Sequence, residues 1–327
     1  MGLDWPLVRP RSRVIVDNDF SGDPDDLVQM AHHLLSPSVE MRAIIASHLA
    51  VGDAWDNSTQ QAANAFNKAA ELLEVMGMGG CCPLLKGSEV GLPPSGAPIV
   101  NAAAEAIVAE AMRDDTTLPL FFCAGAGLTE LASAWLIEPR IGKRLTLVWI
   151  GGPEYPELAV PPPHVAPVEY NLGIDIRAAQ IIFNQSDIGI WHIPRNVYRQ
   201  CLMSYAELLT QVRPHGALGE YLTDNIERVM RWTASAGVDI GETYAMGDSP
   251  LVTLTALQSS FQPDPSSSQY VTRRAPHIDD AGQYAGQSAT GRDIRVYTQI
   301  DCRLTFDDLY AKLRLNAIRA AADRNPH

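Results

Sequence analysis

Five aspartates fall within ten consecutive positions near the start of the chain. They lie in the stretch DNDFSGDPDD, residues 17–26, which directly follows the β-branched run Val14-Ile15-Val16. Such a run is typical of a buried strand, and so many neighbouring carboxylates cannot all stay ionised cheaply without a cation. Every potential ligand in the stretch is an oxygen, so a hard divalent cation fits best. A solvated acidic turn is the simpler alternative, but acids directly after a buried strand favour a metal or catalytic site.

Alternating strand and helix patterns surround this cluster. Asp23 and Pro24 are interpreted as the N-cap and first residue of a helix. Further strands are predicted at 41–46, 83–85, 118–123, 145–150, 188–193 and 294–300. Further helices are predicted at 58–76, 101–113, 174–184, 204–233 and 305–322, with another starting at 248–250. Residues 262–293, rich in Ser, Gly, Pro and Gln, are expected to form a long excursion with at most one short strand.

This alternation predicts the fold class. Strands that alternate with helices indicate an α/β fold, with a mostly parallel open sheet and helices on both faces. No linker or repeat divides the sequence, so we expect one domain across residues 1–327. In open α/β sheets, ligands bind at the carboxyl ends of the strands, and the aspartate cluster would lie there.

Composition limits the function further. The chain has 327 residues, of which 46% are hydrophobic, and its formal net charge is −13. That charge argues against binding to nucleic acid or anionic membranes. The five cysteines lack C-x-x-C spacing and are interpreted as reduced thiols. No apolar run is long enough to span a bilayer, so we expect a soluble cytoplasmic protein.

Three further segments carry polar groups at predicted strand–helix junctions. They are the Gly-rich turn at 125–130, Glu169-Tyr170-Asn171, and Met246-Gly247-Asp248. Each has a structural explanation when taken alone: a packing turn, a polar loop before a helix, and a helix N-cap. Taken with the aspartate cluster, they would converge on one crevice.

The combination resembles the inosine-uridine nucleoside hydrolase superfamily, whose members are calcium-dependent N-glycosidases of α/β fold. The resemblance runs from about residue 13 to 255. Its motifs are the D-x-D of Asp17 and Asp19, the pair Asp25-Asp26, the turn at 125–130, Ile150-Gly151-Gly152, Glu169-Tyr170-Asn171 and the late Asp248.

The resemblance implies a role for each matching residue. Ca²⁺ would be held by Asp19, Asp26, Asp248 and the backbone carbonyl of Thr129. This set leaves room for water and sugar hydroxyls, because Ca²⁺ takes about six to eight oxygen ligands. Asp25 and Asn171 would bind the ribose 2′- and 3′-hydroxyls, Glu169 would lie near the 5′ end, and Asp17 would support the site.

The implied reaction is hydrolysis of a nucleoside or a related N-riboside. Asp19 would take the proton from the attacking water, and nearby carboxylates would stabilise an oxocarbenium-like transition state. The resemblance also implies self-association, as a homodimer or homotetramer.

The sequence departs from the family pattern on the leaving-group side. Many members have His before the late Asp, whereas this chain has Gly247. His48 and His164 follow predicted strand ends, and both are candidates to approach a leaving group. The identity of the aglycone therefore stays open.

Two alternatives remain. One is a haloacid-dehalogenase-like phosphatase, with Asp17 as its nucleophile and Asp248 as a metal ligand. It would leave Asp25-Asp26 and Glu169-Tyr170-Asn171 unused. The other is a non-catalytic protein that binds calcium and sugar, which the absence of an evident leaving-group acid permits.

Overall fold

The computed structural model describes residues 7–259 and 267–324. The strands, in chain order, are β1 (Ser12–Asn18), β2 (Val39–Ala46), β3 (Leu84–Lys86), β4 (Leu120–Ala124), β5 (Leu145–Ile150), β6 (Gly189–Ile193), β7 (Leu202–Ser204), β8 (Thr243–Ala245), β9 (Gln269–Arg274), β10 (Pro276–Ile278), β11 (Tyr284–Gln287) and β12 (Asp293–Gln299).

The helices lie between and beyond these strands. They are α1 (Asp25–Leu34), α2 (Gln61–Val75), α3 (Ala102–Ala111), α4 (Thr129–Ile137), α5 (Tyr170–Ile174), α6 (Ile176–Gln180), α7 (Arg195–Tyr198), α8 (Tyr205–Glu207), α9 (Gly216–Ser235), α10 (Pro250–Thr255) and α11 (Cys302–Arg324). A 3₁₀ turn covers Pro139–Lys143, and π-helical turns cover Ile181–Gln185 and Leu208–Val212.

An eight-stranded sheet organises the chain, in the spatial order β3-β2-β1-β4-β5-β6-β12-β9. All neighbouring pairs are parallel except β12 with β9, which closes one edge antiparallel. Chain order reverses between β1 and β4, and in open α/β sheets such a reversal leaves a ligand-binding crevice beyond the strand ends. The aspartate cluster follows β1 and the Gly-rich turn follows β4, so both border this crevice.

The centre of strand β1, Val14 to Val16, is apolar because helices cover both faces of the sheet. Val14 and Val16 point into a core layer shared with α1, α2, α9, α10 and α11. Ile15 points into the opposite layer, shared with α3, α4 and α6. All three side chains are fully buried, which is the environment of a central parallel strand.

The structure confirms the predicted α/β class and the mostly parallel sheet. Most predicted strands and helices are present, with boundaries that shift by a few residues. The stretch predicted as helical at 204–233 is divided into α8, a π-helical turn and α9. Helix α1 begins at Asp25, one residue later than expected, and Pro24 is its N-cap residue. The helix predicted at 174–184 is divided, because the Asp175 side chain accepts a hydrogen bond from the Ala178 N–H and starts α6.

The expectation for residues 262–293 was wrong in part. The described portion of this region contains β9, β10 and β11; the part at 262–266 lies outside the described residues. Strand β9 pairs along its length with β12, and β10 and β11 form a hairpin. Pairing with the later strand β12 and a local turn stabilise these strands, and their polar composition concealed them. Among the described residues, no helix is both long and apolar enough to cross a membrane.

His192 on β6 provides a pH-dependent contribution to stability. The fully buried ring lies 2.7 Å from the Gly151 carbonyl through Nε2 and 2.9 Å from the Tyr155 hydroxyl through Nδ1. Burial lowers the pKa of His192 to about 4. An unfolded histidine has a pKa of about 6.5, so the unfolded chain binds the proton first.

We therefore expect the contribution of His192 to stability, on the order of 2 kcal/mol, to be lost as the pH falls from 6.5 towards 4. The buried aspartates with raised pKa values act in the opposite direction over this range, so the comparison of the wild type with His192→Gln isolates the histidine. Urea unfolding at pH 7.5 and 4.5 should show a change in stability that is less favourable in the wild type than in His192→Gln, whereas the control His277→Gln, at a half-buried position on β10, should follow the wild type. Equal changes in all three proteins would contradict the assignment.

Candidate active site

Asn18, the last residue of β1, holds three segments of the crevice together. Its Nδ2 donates to Asp248 Oδ2 at 2.8 Å and to Gln29 Oε1 at 3.0 Å. Its Oδ1 accepts from the Gly125 N–H at 2.8 Å. The side chain is fully buried. One amide thus links β1 to α1, to the turn after β4 and to the segment before α10.

The structure brings together the acids that the sequence analysis selected. Asp19, Asp26 and Asp248 are 6%, 2% and 4% exposed. Burial, followed by the charges of Asp19 and Asp248, raises the pKa of Asp26. Burial and Asp19 likewise raise the pKa of Asp248. The backbone N–H of Asp248 also donates to Asp25 Oδ2 at 3.0 Å. Residues more than 200 positions apart therefore share one electrostatic environment.

Several of these buried oxygens have no hydrogen-bond partner among the described residues. They are Asp19 Oδ2 and both carboxylate oxygens of Asp26. Buried charged groups are normally paired, because an unpaired one loses its hydration without compensation. No three His, Cys, Asp or Glu side chains in the described parts of the chain already form a metal cage. The donor chemistry nevertheless fits a hard cation, because the unpartnered atoms are all carboxylate oxygens.

The Gly-rich turn packs directly against the acids. A Cβ added at Gly125 would lie 1.9 Å from Asp248 Oδ2 and 2.6 Å from Asn18 Oδ1. Atoms cannot approach so closely, so any side chain here would displace the Asp248 carboxylate. The backbone of the turn therefore forms one wall of the site.

A cavity of about 240 Å³, which we call the acidic cavity, opens onto this cluster. Its lining residues combine carboxylates, an amide and aromatic rings. They include Asp19, Asp23, Asp25, Asp248, Glu169, Asn171, Trp55, Tyr170 and Tyr198.

Asn171 and Glu169 present different groups to this cavity. Asn171 Nδ2 donates to the carbonyls of Gly125 and Ile150, both at 2.8 Å. Two carbonyl partners identify the nitrogen end, so Oδ1 is left to accept from a ligand. Glu169 accepts from the N–H groups of Gly152 and Leu172 and from the Tyr198 hydroxyl. Most of its acceptor capacity is thus used within the protein, where it positions the loop and Tyr198.

His48 and His164 do not line the acidic cavity. The His48 ring is buried, with Nδ1 at 2.8 Å from the Leu49 carbonyl and Nε2 at 3.1 Å from the Thr129 hydroxyl oxygen. The Thr129 hydroxyl donates to Asp175 Oδ2 at 2.7 Å. His164 is on an exposed loop, with a left-handed backbone at φ 60°. The geometry therefore gives no support to either histidine near a leaving group, and the Thr129 carbonyl stays a prediction.

Asp17 is also directed away from the cavity. It is fully buried, and its Oδ1 accepts from the Ser47 hydroxyl. Burial and the Glu130 charge raise its pKa. A phosphatase nucleophile must reach its substrate, so this placement counts against the phosphatase alternative.

Some lining residues were missed by the sequence analysis. Asp23 accepts from the Tyr244 hydroxyl at 2.6 Å. Tyr170 donates to Asp53 at 2.8 Å, and the Trp55 ring lies 5.2 Å from that of Trp232. Asp23 was visible as a member of the cluster, but nothing local indicated that the loop carrying Asp53 and Trp55 would border the cavity.

Comparison with known proteins agrees with this geometry. The sequence profile of the inosine-uridine preferring nucleoside hydrolases matches residues 14–307. The chain belongs to this family. Nucleoside hydrolases are N-glycosidases that cleave the bond between ribose and base, so the family match favours a glycosidase over a phosphatase. Among curated proteins, none matches this chain.

Solved nucleoside hydrolases share the fold. The chain is similar to the purine-preferring ribonucleoside hydrolase from Gardnerella vaginalis, with 18% identity, a TM-score of 0.69, and coverage of 94% of this chain and 100% of that one. It is also similar to the plant nucleoside hydrolase PpNRh1, with 19% identity, a TM-score of 0.68, and coverage of 93% and 99%. A third similar structure is the type III effector protein XopQ complexed with adenosine diphosphate ribose, with 15% identity, a TM-score of 0.58, and coverage of 96% and 94%.

In this nucleoside hydrolase, the Tyr198 ring lies next to Gly247. A Cβ at Gly247 would lie 3.5 Å from the Tyr198 ring and 3.2 Å from Asp25 Oδ2. The position at which many members carry His is thus bordered by a tyrosine from α7.

The close approach of Gly125 predicts a selective steric effect. Gly125→Ala should lower the free energy of unfolding by about 1–3 kcal/mol, the usual cost of overpacking. Gly79→Ala is the matched control, because its Cβ would meet nothing within 4 Å, and its effect should stay within about 0.5 kcal/mol. Urea unfolding of both variants in EDTA checks this, and equal stabilities would contradict the described packing.

Proposed function

We propose that this chain catalyses calcium-dependent hydrolysis of the N-glycosidic bond of a ribonucleoside or related N-riboside, releasing ribose and base. The observation that carries the proposal is the meeting of Asp19, Asp26 and Asp248, with unpartnered buried oxygens, beside the acidic cavity. The similarity to a purine-preferring ribonucleoside hydrolase supports an N-riboside as substrate.

The proposed calcium ligands are the carboxylates of Asp19, Asp26 and Asp248 and the backbone carbonyl of Thr129. A bound divalent cation would lower the pKa of water and orient the sugar hydroxyls. The proposed ligands are three carboxylates, one backbone carbonyl and the hydroxyls of the sugar. Calcium is favoured over magnesium, because Ca²⁺ accepts more oxygen ligands in a less strict geometry.

Asp25 and Asn171 are proposed to bind the ribose diol. One oxygen of Asp25 already accepts from the Asp248 N–H, so the other is left for a hydroxyl. Asn171 offers Oδ1, since its Nδ2 is held by two carbonyls. Glu169 is proposed to lie near the 5′ end, where Tyr198 fixes its orientation.

Asp19 is proposed as the general base. Its Oδ2 has no partner among the described residues, and burial raises the pKa of Asp19 to about 8. That pKa applies without a cation; a bound cation would lower it, so that Asp19 would be ionised and able to accept the proton from water. Asp25 and Asp248 place negative charge beside the sugar, which would stabilise the positive charge that develops at C1′.

A second candidate is a non-catalytic protein that binds calcium and sugar. One observation favours it: among the described residues, no histidine lines the acidic cavity. Incubation with a nucleoside panel and Ca²⁺ distinguishes the candidates by ribose release. Cytoplasmic location and assembly as a homodimer or homotetramer stay predictions.

Replacing Asp26 should have opposite effects with and without calcium. Asp26→Asn removes one of several crowded buried charges, so its melting temperature in EDTA should exceed that of the wild type. Added Ca²⁺ should stabilise the wild type by about 2.7 kcal/mol at one hundred times its Kd but leave Asp26→Asn unchanged. Asp114→Asn, whose carboxylate is 83% exposed, should keep the calcium response. An equal calcium shift in Asp26→Asn would contradict the ligand assignment.

Replacing Asp19 tests the proton acceptor. Asp19→Asn keeps the shape but cannot accept the proton, so kcat/KM for nucleoside hydrolysis at saturating Ca²⁺, which compensates for the weakened ligand, should fall about 10²- to 10⁴-fold. A reducing-sugar assay measures the rate, and Asp114→Asn again serves as the control. Undiminished turnover in Asp19→Asn would assign the base to another residue.

A further inference from the structure

A second cavity, of about 380 Å³, lies next to the acidic cavity. We call it the outer cavity. Trp55 lines both cavities. The residues that matter for its chemistry are Phe20, Trp55, Lys68, Asn225, Arg228 and Trp232. A group attached to a ribose in the acidic cavity would reach the outer cavity by passing Trp55.

The aromatic side chains of the outer cavity suit a flat ring. The rings of Trp55 and Trp232 lie 5.2 Å apart at 49° to each other. Trp232 is 46% exposed, which is a large apolar surface to leave in water. Aromatic pairs of this kind gain from an additional stacked or edge-on ring.

The outer cavity is lined by positive charge, whereas the acidic cavity is lined by negative charge. Lys68 and Arg228 line the outer cavity, and no carboxylate does so among the described residues. This is unusual in a chain with 38 acidic and 25 basic residues. Lys68 Nζ is paired with Glu71 Oε2 at 3.0 Å. The Arg228 charge also helps to lower the pKa of Glu71, although Arg228 has no direct ion pair among the described residues. Two cations therefore share one neighbouring carboxylate, which leaves one net positive charge at the cavity.

Asn225 adds a buried polar group. It is 5% exposed, and its Nδ2 donates to the Tyr221 carbonyl at 2.8 Å. The amide also makes a hydrogen bond to the Tyr221 side chain, so its Oδ1 is the group left for the polar edge of a ligand. Rings, an amide and a cation together form a site for a polar aromatic group that carries negative charge.

We propose that the outer cavity binds the aglycone, and that the preferred aglycone is an aromatic ring with an anionic substituent such as a carboxylate. The proposal rests on the proposed function for the ribose half of the substrate. It names a substrate class for the same site: N-ribosides of anionic heteroaromatic rings, in preference to neutral nucleosides.

Hydrolysis of matched substrates tests the preference. Uridine and 5-carboxyuridine differ only by a carboxylate on the base, and uridine 5′-monophosphate places the negative charge on the sugar instead. We expect kcat/KM for 5-carboxyuridine to exceed that for uridine roughly tenfold, as a charge-assisted hydrogen bond allows. Equal values, or a preference for the 5′-monophosphate alone, would overturn the proposal.

Two substitutions on α9 test which cation causes the preference for an anionic aglycone. Arg228→Gln should reduce the ratio between the two uridine substrates roughly tenfold. Arg231→Gln is the matched control, because Arg231 lies on the same helix, is 67% exposed and pairs with Glu227 instead. An unchanged ratio in Arg228→Gln would overturn the assignment of this residue and, with it, the proposal.

A binding measurement separates this proposal from the proposed function. Tryptophan fluorescence should change on titration with uracil-5-carboxylate much more than with uracil, and Trp232→Phe should weaken the response. Such selective binding without any N-riboside hydrolysis would support the outer-cavity proposal and contradict the proposed function. Hydrolysis of nucleosides without charge-selective binding would support the proposed function and overturn the outer-cavity proposal.

Discussion

Like charges held out of water are the constraint on which the rest of this structure depends. Asp19, Asp26 and Asp248 are buried next to one another, and several of their oxygens have no partner among the described residues. Such a cluster is unfavourable for folding by itself. The sheet, the glycine at position 125 and the amide of Asn18 hold it in place. The stability of the surrounding α/β core is therefore what permits a strongly acidic site.

Much of this arrangement could be predicted from the sequence. Periodicity and composition identified β1 and the alternation of strands and helices, and the position of the acids after β1 indicated the ligand-binding edge. The paired aspartates, Glu169 and Asn171 were found because motifs of the family carry them. The residues of each of these motifs are close together in the sequence, so sequence patterns reveal them.

The remainder depends on contacts between distant segments. Trp55 borders both cavities only because its loop reaches α9, and Tyr198 borders Gly247 only because β6 lies near the crevice. The role of His48 stays a prediction: it follows β2 as expected, and its ring lies against the Thr129 hydroxyl. Strand-end position alone does not determine which way a side chain points. Strands β9 to β11 were concealed by their polar composition, although β10 pairs with β11 and β9 with the following β12.

The hydrogen bond between Asn18 and Asp248 joins residues 230 positions apart. Contacts that span so much chain close late in folding, because a long loop must first lose its freedom. A nascent chain on the ribosome therefore exposes its amino-terminal acids long before the final carboxylate exists. On the proposed assignment of Asp248 as a ligand, cation binding at full strength would then be a property of the finished protein, and fragments that lack the segment around residue 248 would bind a cation weakly even if their early strands fold.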